Sequence, residues 1–443
     1  MTAGRQILSL NRFDAGNSAW LDDDLAALIA RRQAVFGAAS VLFYEEPIIM
    51  ERAEGAVMIA RDGRRFLDVY NNVPSVGHGH PHVAAAVARQ IGKLNIHTRY
   101  LVEPVIAYAE KLLATFPPAL ANLAMTCTGS ESNDLALRIA RAWTGGTGFI
   151  VTETAYHGNT AAVTEVSPSS FRSREVPAHV RTVAAPDVGT GPAEDLAARF
   201  AGQVSAAIAD MAANGIRFAG LLVDTIFSSD GIHADPPGFL AAAVEAVRKA
   251  GGLFIADEVQ PGFGRTGRQM WGFERHGLVP DIVTLGKPMG NGFPVGGVVT
   301  RPELLTGFCE TTGYFNTFGG NPVAAAAGLA VLEVIEAEGL RENAEDVGAY
   351  FRAGLRDLGA RHVGIGAVRG AGLFIGLDFV EAGSRAPDTA GATHAINALK
   401  QRGVLIGAAG SFGNTLKIRP PLCFSRANAD EFLEKIDEVL AAR

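Results

Sequence analysis

Residues 253–260, LFIADEVQ, decide how the chain is read. Four apolar residues run straight into an acid. An unbroken apolar run of this kind suits a strand covered on both faces, as in parallel sheets packed between helices. Three other runs match it: GFIVT at 148–152, GLLVD at 220–224 and IVTLG at 282–286. From about residue 70 to 325 such runs alternate with alanine-rich helical patterns, which predicts an α/β fold with a large, mostly parallel sheet. Ligands of such sheets sit beyond the carboxyl ends of the strands. Asp224, Asp257 and Lys287 all fall at or just past those ends.

Outward from this centre the patterns change. Residues 19–36 read as an amphipathic helix with Asp22, Asp23 and Asp24 in its first turn. Residues 48–69 read as short strands with Asp62-Gly63 as a hairpin turn. Residues 167–193, rich in Ser, Pro, Arg and Gly, predict a long surface loop. After about residue 330 the expected order is a helix, a strand region over VRGAGLFIGLDFV, a helix at 392–402, short strands at 404–406 and 415–418, and a last helix near 428–442. The expected division is therefore 1–70 as the N-terminal segment of a small α+β domain, 71–328 as the large domain, and 329–443 as the rest of the small one.

Composition removes several classes of function. The net charge of -7 comes with no long basic run, which argues against a nucleic-acid partner. Cys127, Cys309 and Cys423 are far apart and form no CxxC, so neither a disulfide framework nor a zinc site is expected, and a reducing cytoplasm is. The opening MTAGRQILSLNRFD lacks the apolar core of a signal peptide. The longest apolar stretch, Val323 to Ile335, is too short to span a bilayer and reads as a buried helix.

Four segments carry candidate chemistry. In TCTGSESNDLALRIARAW, residues 126–143, a small-residue turn at Thr128-Gly129-Ser130 enters a helical pattern near Glu131. Free N–H groups at a helix start bind phosphate, although an ordinary capping turn looks the same. Tyr156, in Ala155-Tyr156-His157-Gly158, could stack on a flat ring. Asp257, ending an apolar strand, must be paired or functional. Opposite a pyridine nitrogen it would keep that nitrogen protonated. Lys287, between Gly286 and Pro288, stands where a dry pocket would lower its pKa and make it a nucleophile or base.

Together, and in this order, these segments resemble the class III aminotransferases, a family of pyridoxal 5'-phosphate (PLP) enzymes of fold type I. The matching stretches are TGSESNDLALRIAR, AYHGNT, FIADEVQPGFGRTG, TLGKPMGNGFPVGG and YFNTFGGNP, and the likeness runs from about residue 44 to 440. The resemblance implies that Lys287 holds PLP as a Schiff base and that Asp257 partners the pyridine nitrogen. It places Val259 and Tyr156 on the two ring faces, Gln260 at the phenolic oxygen, and Gly129 and Ser130 at the phosphate. His157 and Asp224 join the cofactor-binding set. Thr317 would complete the phosphate cup of a neighbouring subunit, which implies a homodimer, or a tetramer built from it. GHGHPH (77–82) invites a metal reading, but the family has a similar turn with no metal. GIGAVRGAG (364–372) loosely resembles a dinucleotide loop, yet it precedes a strand, so an NAD-dependent dehydrogenase leaves the lysine motif unexplained.

Departures from the family pattern bear on the substrate. Many relatives carry an Arg three residues before a Pro-Pro pair, to clamp an α-carboxylate, and a Glu that gates it. In LKIRPPL that Arg position is Lys417, with Arg419 beside Pro420, and in DTIFSSDG the gate position is Ser229. The segments YNNVPSVGHGHP, GKPMGNG and LKIRPP look most like the ethanolamine-phosphate phospho-lyase subgroup, whose substrate is a phosphorylated amine without a carboxylate. Phe227 and Asp230 depart from that pattern too. Lys417 and Arg419 are then candidate anion-binding cations, since two cations suit a dianion. Surface ion pairing is the plain alternative. Amino transfer from a small amine or amino acid to an oxo acid such as pyruvate is placed first, as the family's commonest reaction. Phosphate elimination from a substrate such as O-phosphoethanolamine is the alternative.

Overall fold

A computed structural model describes residues 11–14, 16, 21–171 and 175–442. In chain order its strands are β1 (Met50–Glu54), β2 (Val57–Ala60), β3 (Arg65–Asp68), β4 (Asn122–Thr126), β5 (Gly148–Thr152), β6 (Val180–Val183), β7 (Phe218–Asp224), β8 (Leu253–Asp257), β9 (Ile282–Leu285), β10 (Gly296–Thr300), β11 (Ile365–Ala371), β12 (Phe374–Phe379), β13 (Val404–Leu405), β14 (Gly407–Ala409) and β15 (Thr415–Ile418).

The large sheet has the order β4-β10-β9-β8-β7-β5-β6. β10 runs antiparallel to both neighbours, and the remaining pairs are parallel. The apolar runs feed two cores. Phe149, Val151, Leu222, Ile255 and Val298 pack on the side of the helix Gly129–Thr144. Ile150, Leu221, Val223, Phe254, Ala256 and Val299 pack on the other. This is the period-two alternation of a strand with both faces dry. The register then decides the site: Asp224 lies opposite Asp257, and Asp257 opposite Thr284. Three strand ends therefore finish level, with Lys287 just beyond them.

Two smaller sheets complete the molecule, β1-β2-β3-β13 and β11-β12-β15-β14. β3 pairs in parallel with β13, with Asp68 opposite Leu405, so segments from the two ends of the chain share a sheet. That pairing supports the division at 1–70, 71–328 and 329–443, which stays our proposal.

Several elements differ from the sequence-based expectation. The first helix is Asp23–Phe36, and Asp22 is its N-cap, accepting from Leu25 N at 2.8 Å. Residues 17–20 lie outside the described residues. The expected loop at 167–193 contains β6, in which buried Val180 and Val183 flank half-buried Arg181 and Thr182 beside β5. Four residues next to Pro177 are too few to outweigh the turn-rich composition around them, and residues 172–174 lie outside the description. The helix expected after about residue 330 is Leu340–Arg361, which Gly339, with φ +60°, separates from the helix Pro322–Ala337. The stretch Val323 to Ile335 is a largely buried helical segment as expected, and among the described residues no helix is long and apolar enough to cross a membrane.

The helix Leu340–Arg361 lies against the hairpin of β11 and β12 so closely that a Cβ on Gly348 would stand 2.0 Å from Gly372 O. Alanine in a helix interior normally gains about 1 kcal/mol over glycine. Here Gly348→Ala should instead destabilise by ~1–3 kcal/mol, the usual cost of overpacking. The denaturant midpoint checks this, and an unchanged or raised midpoint would refute the close approach.

Candidate active site

The floor of the site is the row of strand ends. Asp257 is 4% exposed. Its Oδ2 accepts from His157 Nδ1 at 2.6 Å and Asn133 Nδ2 at 3.0 Å, and its Oδ1 from Val259 N at 3.0 Å. Thr284 Oγ1 donates to Asn133 Oδ1 at 2.8 Å, which fixes the amide so that its nitrogen faces Asp257. The buried carboxylate is thus satisfied and oriented by donors from three elements. Asn133 and Thr284 escaped the sequence reading. The only signal was position: Asn133 lies one turn along the helix from Gly129, facing the strand ends. His157 Nε2 is buried with no protein partner among the described residues.

Lys287 opens a 3-10 turn, Lys287–Gly290, with φ +32°, outside the comfortable range for a residue with a side chain. Gly286 before it is required by proximity: a Cβ there would lie 2.9 Å from Gly129 N. Burial, with the nearby Arg419 charge, lowers the Lys287 pKa to about 8, against the raising influence of Asp257 and Asp224.

The helix over the site starts at Gly129, two residues before the expected Glu131. Thr128 is its N-cap and accepts from Glu131 N at 3.1 Å. The N-terminal N–H groups that follow form an anion-binding end. A Cβ on Gly129 would come 2.9 Å from Val259 Cγ2, so the turn and Val259 are in close apposition. Ser130 Oγ accepts from Asn159 N at 3.2 Å. Tyr156 is half-buried, and burial raises its phenol above the usual range.

The other wall is cationic. Lys417, on β15, is 4% exposed, and burial holds its amine well below the usual lysine range. Arg419 and Lys287 push in the same direction, and Asp224 and Asp230 oppose them. Arg419 Nη1 donates to Gln260 Oε1 at 2.6 Å and Asn72 Oδ1 at 2.8 Å, and the guanidinium lies 4.5 Å from the Tyr70 ring. Gln260 spends its nitrogen on Ser228 Oγ at 2.7 Å. Asp224 accepts from Ile226 N at 3.0 Å and Ser228 N at 3.2 Å. Burial raises its pKa, the Ser228 bond and Lys417 lower it, and Asp257 raises it. Asp230, unassigned by the sequence reading, accepts from Thr152 Oγ1 at 2.9 Å and from Thr154, and burial raises its pKa to about 6.

Asp224, Asp257, Lys287, Gln260, Lys417 and Arg419 are therefore gathered in one place, with Val259, Gly129, Ser130 and His157 adjoining. Thr317 is not: it is exposed, on a loop held to the helix start by Asn316 Nδ2 donating to Glu131 Oε2 at 3.1 Å. The three histidines of 77–82 each meet a different carboxylate: His78 with Asp68 at 2.7 Å, His80 with Glu338 at 2.9 Å and His82 with Glu333 at 2.6 Å. The segment 364–372 is β11 itself rather than a loop.

The donor set fits PLP. It offers a lysine of lowered pKa, a preoriented buried carboxylate, an anion-binding helix end, and a cradle at Gly129 and Gly286 that a Cβ would fill. The sheet with its strand-end lysine and carboxylate is the fold-type I architecture of PLP-dependent enzymes. The chain belongs to the class III aminotransferase family, whose model, described as Aminotransferase class-III, matches residues 42–440. It is 40% identical to an alanine–glyoxylate aminotransferase 2-like protein of Drosophila melanogaster, over 94% of this chain and 87% of that one. It is 37% identical to ethanolamine-phosphate phospho-lyase homolog 1 of Caenorhabditis elegans, over 93% of each. Among solved structures, a phospholyase from Arthrobacter in complex with phosphoethanolamine superposes with a TM-score of 0.91 and 45% identity, covering 94% of this chain and 100% of that one. An aminotransferase from Bacillus anthracis superposes with a TM-score of 0.85 and 26% identity, over 96% and 100%.

The Lys287 amine should be titratable without cofactor. Competitive acetylation of the cofactor-free protein, read by mass spectrometry, should show Lys287 becoming reactive as pH rises through about 8, because only the neutral amine reacts. Arg419→Met removes a positive neighbour, so the midpoint should move upward. A midpoint in the ordinary lysine range for the unmodified protein would contradict the buried setting.

Proposed function

We propose that this enzyme eliminates phosphate from a small phosphorylated amine such as O-phosphoethanolamine, with PLP as cofactor. One observation carries the reading: Lys417 and Arg419 share a corner of the site, and among the described residues neither makes an ion pair with a carboxylate. Two cations not tied up in direct ion pairs suit a substrate that brings a dianion. Ser229 in place of a gating acid fits the same reading, since the carboxylate that would pair with the cation at position 417 is missing there.

When bound, the cofactor supplies a pyridine ring that accepts the charge left as a substrate C–H bond breaks. Asp257 holds a proton on the ring nitrogen, and His157 and Asn133 keep its carboxylate aimed. Lys287 would hold the cofactor, and its amine would be the group placed to take the proton from the carbon next to the substrate nitrogen. Gly129 and Ser130 bind the cofactor phosphate, Tyr156 and Val259 enclose its ring, and Gln260 lies at the phenolic side. Asp224 balances the charge of Lys417. Lys417 and Arg419 hold the distal phosphate and stabilise it as it leaves. Thr317 serves the phosphate cup of a second copy, so the active form is a homodimer or a tetramer of two, working in the cytoplasm.

Amino transfer to an oxo acid such as pyruvate is the second reading, favoured by the 40% identity to the Drosophila relative. Incubation with O-phosphoethanolamine, and separately with amine and pyruvate, decides between them. Inorganic phosphate release supports elimination, and alanine formation without phosphate release overturns it.

Lys417→Met and Arg419→Met should each raise KM for O-phosphoethanolamine roughly 10- to 150-fold, the loss of one charge-assisted bond. Unchanged KM in both would make the pair structural. Asp257→Asn should retain the fold by circular dichroism but lose turnover by about 100-fold or more, because an amide cannot hold the ring nitrogen charged. Turnover near that of the unmodified enzyme would assign that role to another group.

A further inference from the structure

Arg419 sets the orientation of two amides. A guanidinium carries only donors. The atom of Asn72 that meets Nη1 at 2.8 Å must therefore be its oxygen, and so must the atom of Gln260 that meets the same Nη1 at 2.6 Å. Both amide nitrogens are thereby left to donate elsewhere. Gln260 spends its nitrogen on Ser228 Oγ. Asn72 does not: it is 2% exposed, and its Nδ2 is buried with no protein partner among the described residues. Arg419 Nε is in the same condition. Buried donors without acceptors are rare in folded proteins, and two in bonded side chains point to an acceptor supplied from outside the chain.

The loop that carries Asn72 is built to stay in place. Asp68 is fully buried and accepts from Tyr70 N at 3.0 Å, Asn71 N at 2.9 Å and His78 at 2.7 Å. Arg419 N donates to Val69 O at 2.9 Å, and Leu422 N to Ser75 O at 2.7 Å. The loop and the segment after β15 are thus laced backbone to backbone on both sides of Asn72. Tyr70 lies over the guanidinium at 4.5 Å.

We propose that Asn72 is a specificity-determining residue that donates from Nδ2 to the distal oxyanion of the substrate. With Lys417 and Arg419 it brings three donor groups to one corner. Three separate donor groups match the three terminal oxygens of a phosphate monoester better than the two of a carboxylate. The corner therefore prefers a phosphorylated amine to an amino acid of similar length. This inference rests on the reading that Lys417 and Arg419 bind the distal anion.

The test measures, on the cofactor-loaded enzyme, dissociation constants by calorimetry for inorganic phosphate and β-alanine, and KM for O-phosphoethanolamine by phosphate release. Asn72→Ala should weaken both phosphate ligands roughly 10- to 150-fold. It should weaken β-alanine by a smaller factor, so the preference for phosphate falls. Asn72→Asp should weaken the phosphate ligands further, since it turns the donor into an acceptor and pairs Arg419 with a carboxylate. Circular dichroism and the visible cofactor band monitor folding, and Asn72→Ser provides a milder truncation if Asn72→Ala proves unstable. Lys417→Met and Arg419→Met are measured alongside. If these two lose phosphate affinity while every Asn72 variant stays within about threefold of the unmodified enzyme, the assignment of Asn72 is overturned and the anion-binding reading stands. If the cation variants also bind phosphate normally, both fall.

Discussion

The register of β7, β8 and β9 is the constraint from which the site follows. Because Asp224, Asp257 and Thr284 finish level, a carboxylate pair and a hydroxyl meet at one depth, and the chain turns next into Lys287. A slip of one residue in any of these strands would send its terminal side chain to the opposite face. What prevents the slip is the packing of alternate residues into two separate cores. The charged row is therefore held by apolar contacts that never touch it.

Concentrating charges in a dry place has a cost, and the site meets it with donors and opposed charges rather than with simple ion pairs. Asp257 is satisfied by three N–H groups. Glu258, fully buried behind it, accepts from Thr225 Oγ1 at 2.8 Å, Gly272 N at 2.7 Å and Phe273 N at 2.9 Å, while burial raises its pKa to about 8. Asp224 and Lys417 are shifted in opposite senses by burial, each toward neutrality, and each helps keep the other charged. A substrate anion entering this corner would shift Lys417 further toward its charged form.

The parts of the fold legible in the sequence are those with an uninterrupted local signal. The four apolar runs became strands because no other structure buries both sides of five apolar residues so economically. β6 was hidden because it is a four-residue edge strand whose two valines are separated by the polar Arg181 and Thr182, among turn-forming neighbours. The start of the helix at Gly129 was displaced by the Thr128 cap, a contact that composition does not reveal. In the site, Asp257 and Lys287 stood out as ionisable groups at strand ends. Asn133, Thr284, Asn72 and Asp230 did not, because neutral amides, hydroxyls and loop acids are common everywhere and acquire meaning only from what they face.

The class of architecture and the family were legible in the sequence alone, together with candidate residues for PLP chemistry. These depend on short-range pattern: apolar runs, glycines at close turns, and ionisable residues at their ends. How the polar groups point emerges only once the chain is folded. Lys417 and Arg419 could have been surface cations until Lys417 was seen to be buried and neither was seen to make a direct ion pair among the described residues. Asn72 lies far along the chain from Arg419, and its orientation is imposed by a guanidinium from another segment. Hydrogen-bond direction is a property of pairs of groups brought together in space, so one-dimensional spacing carries no record of it.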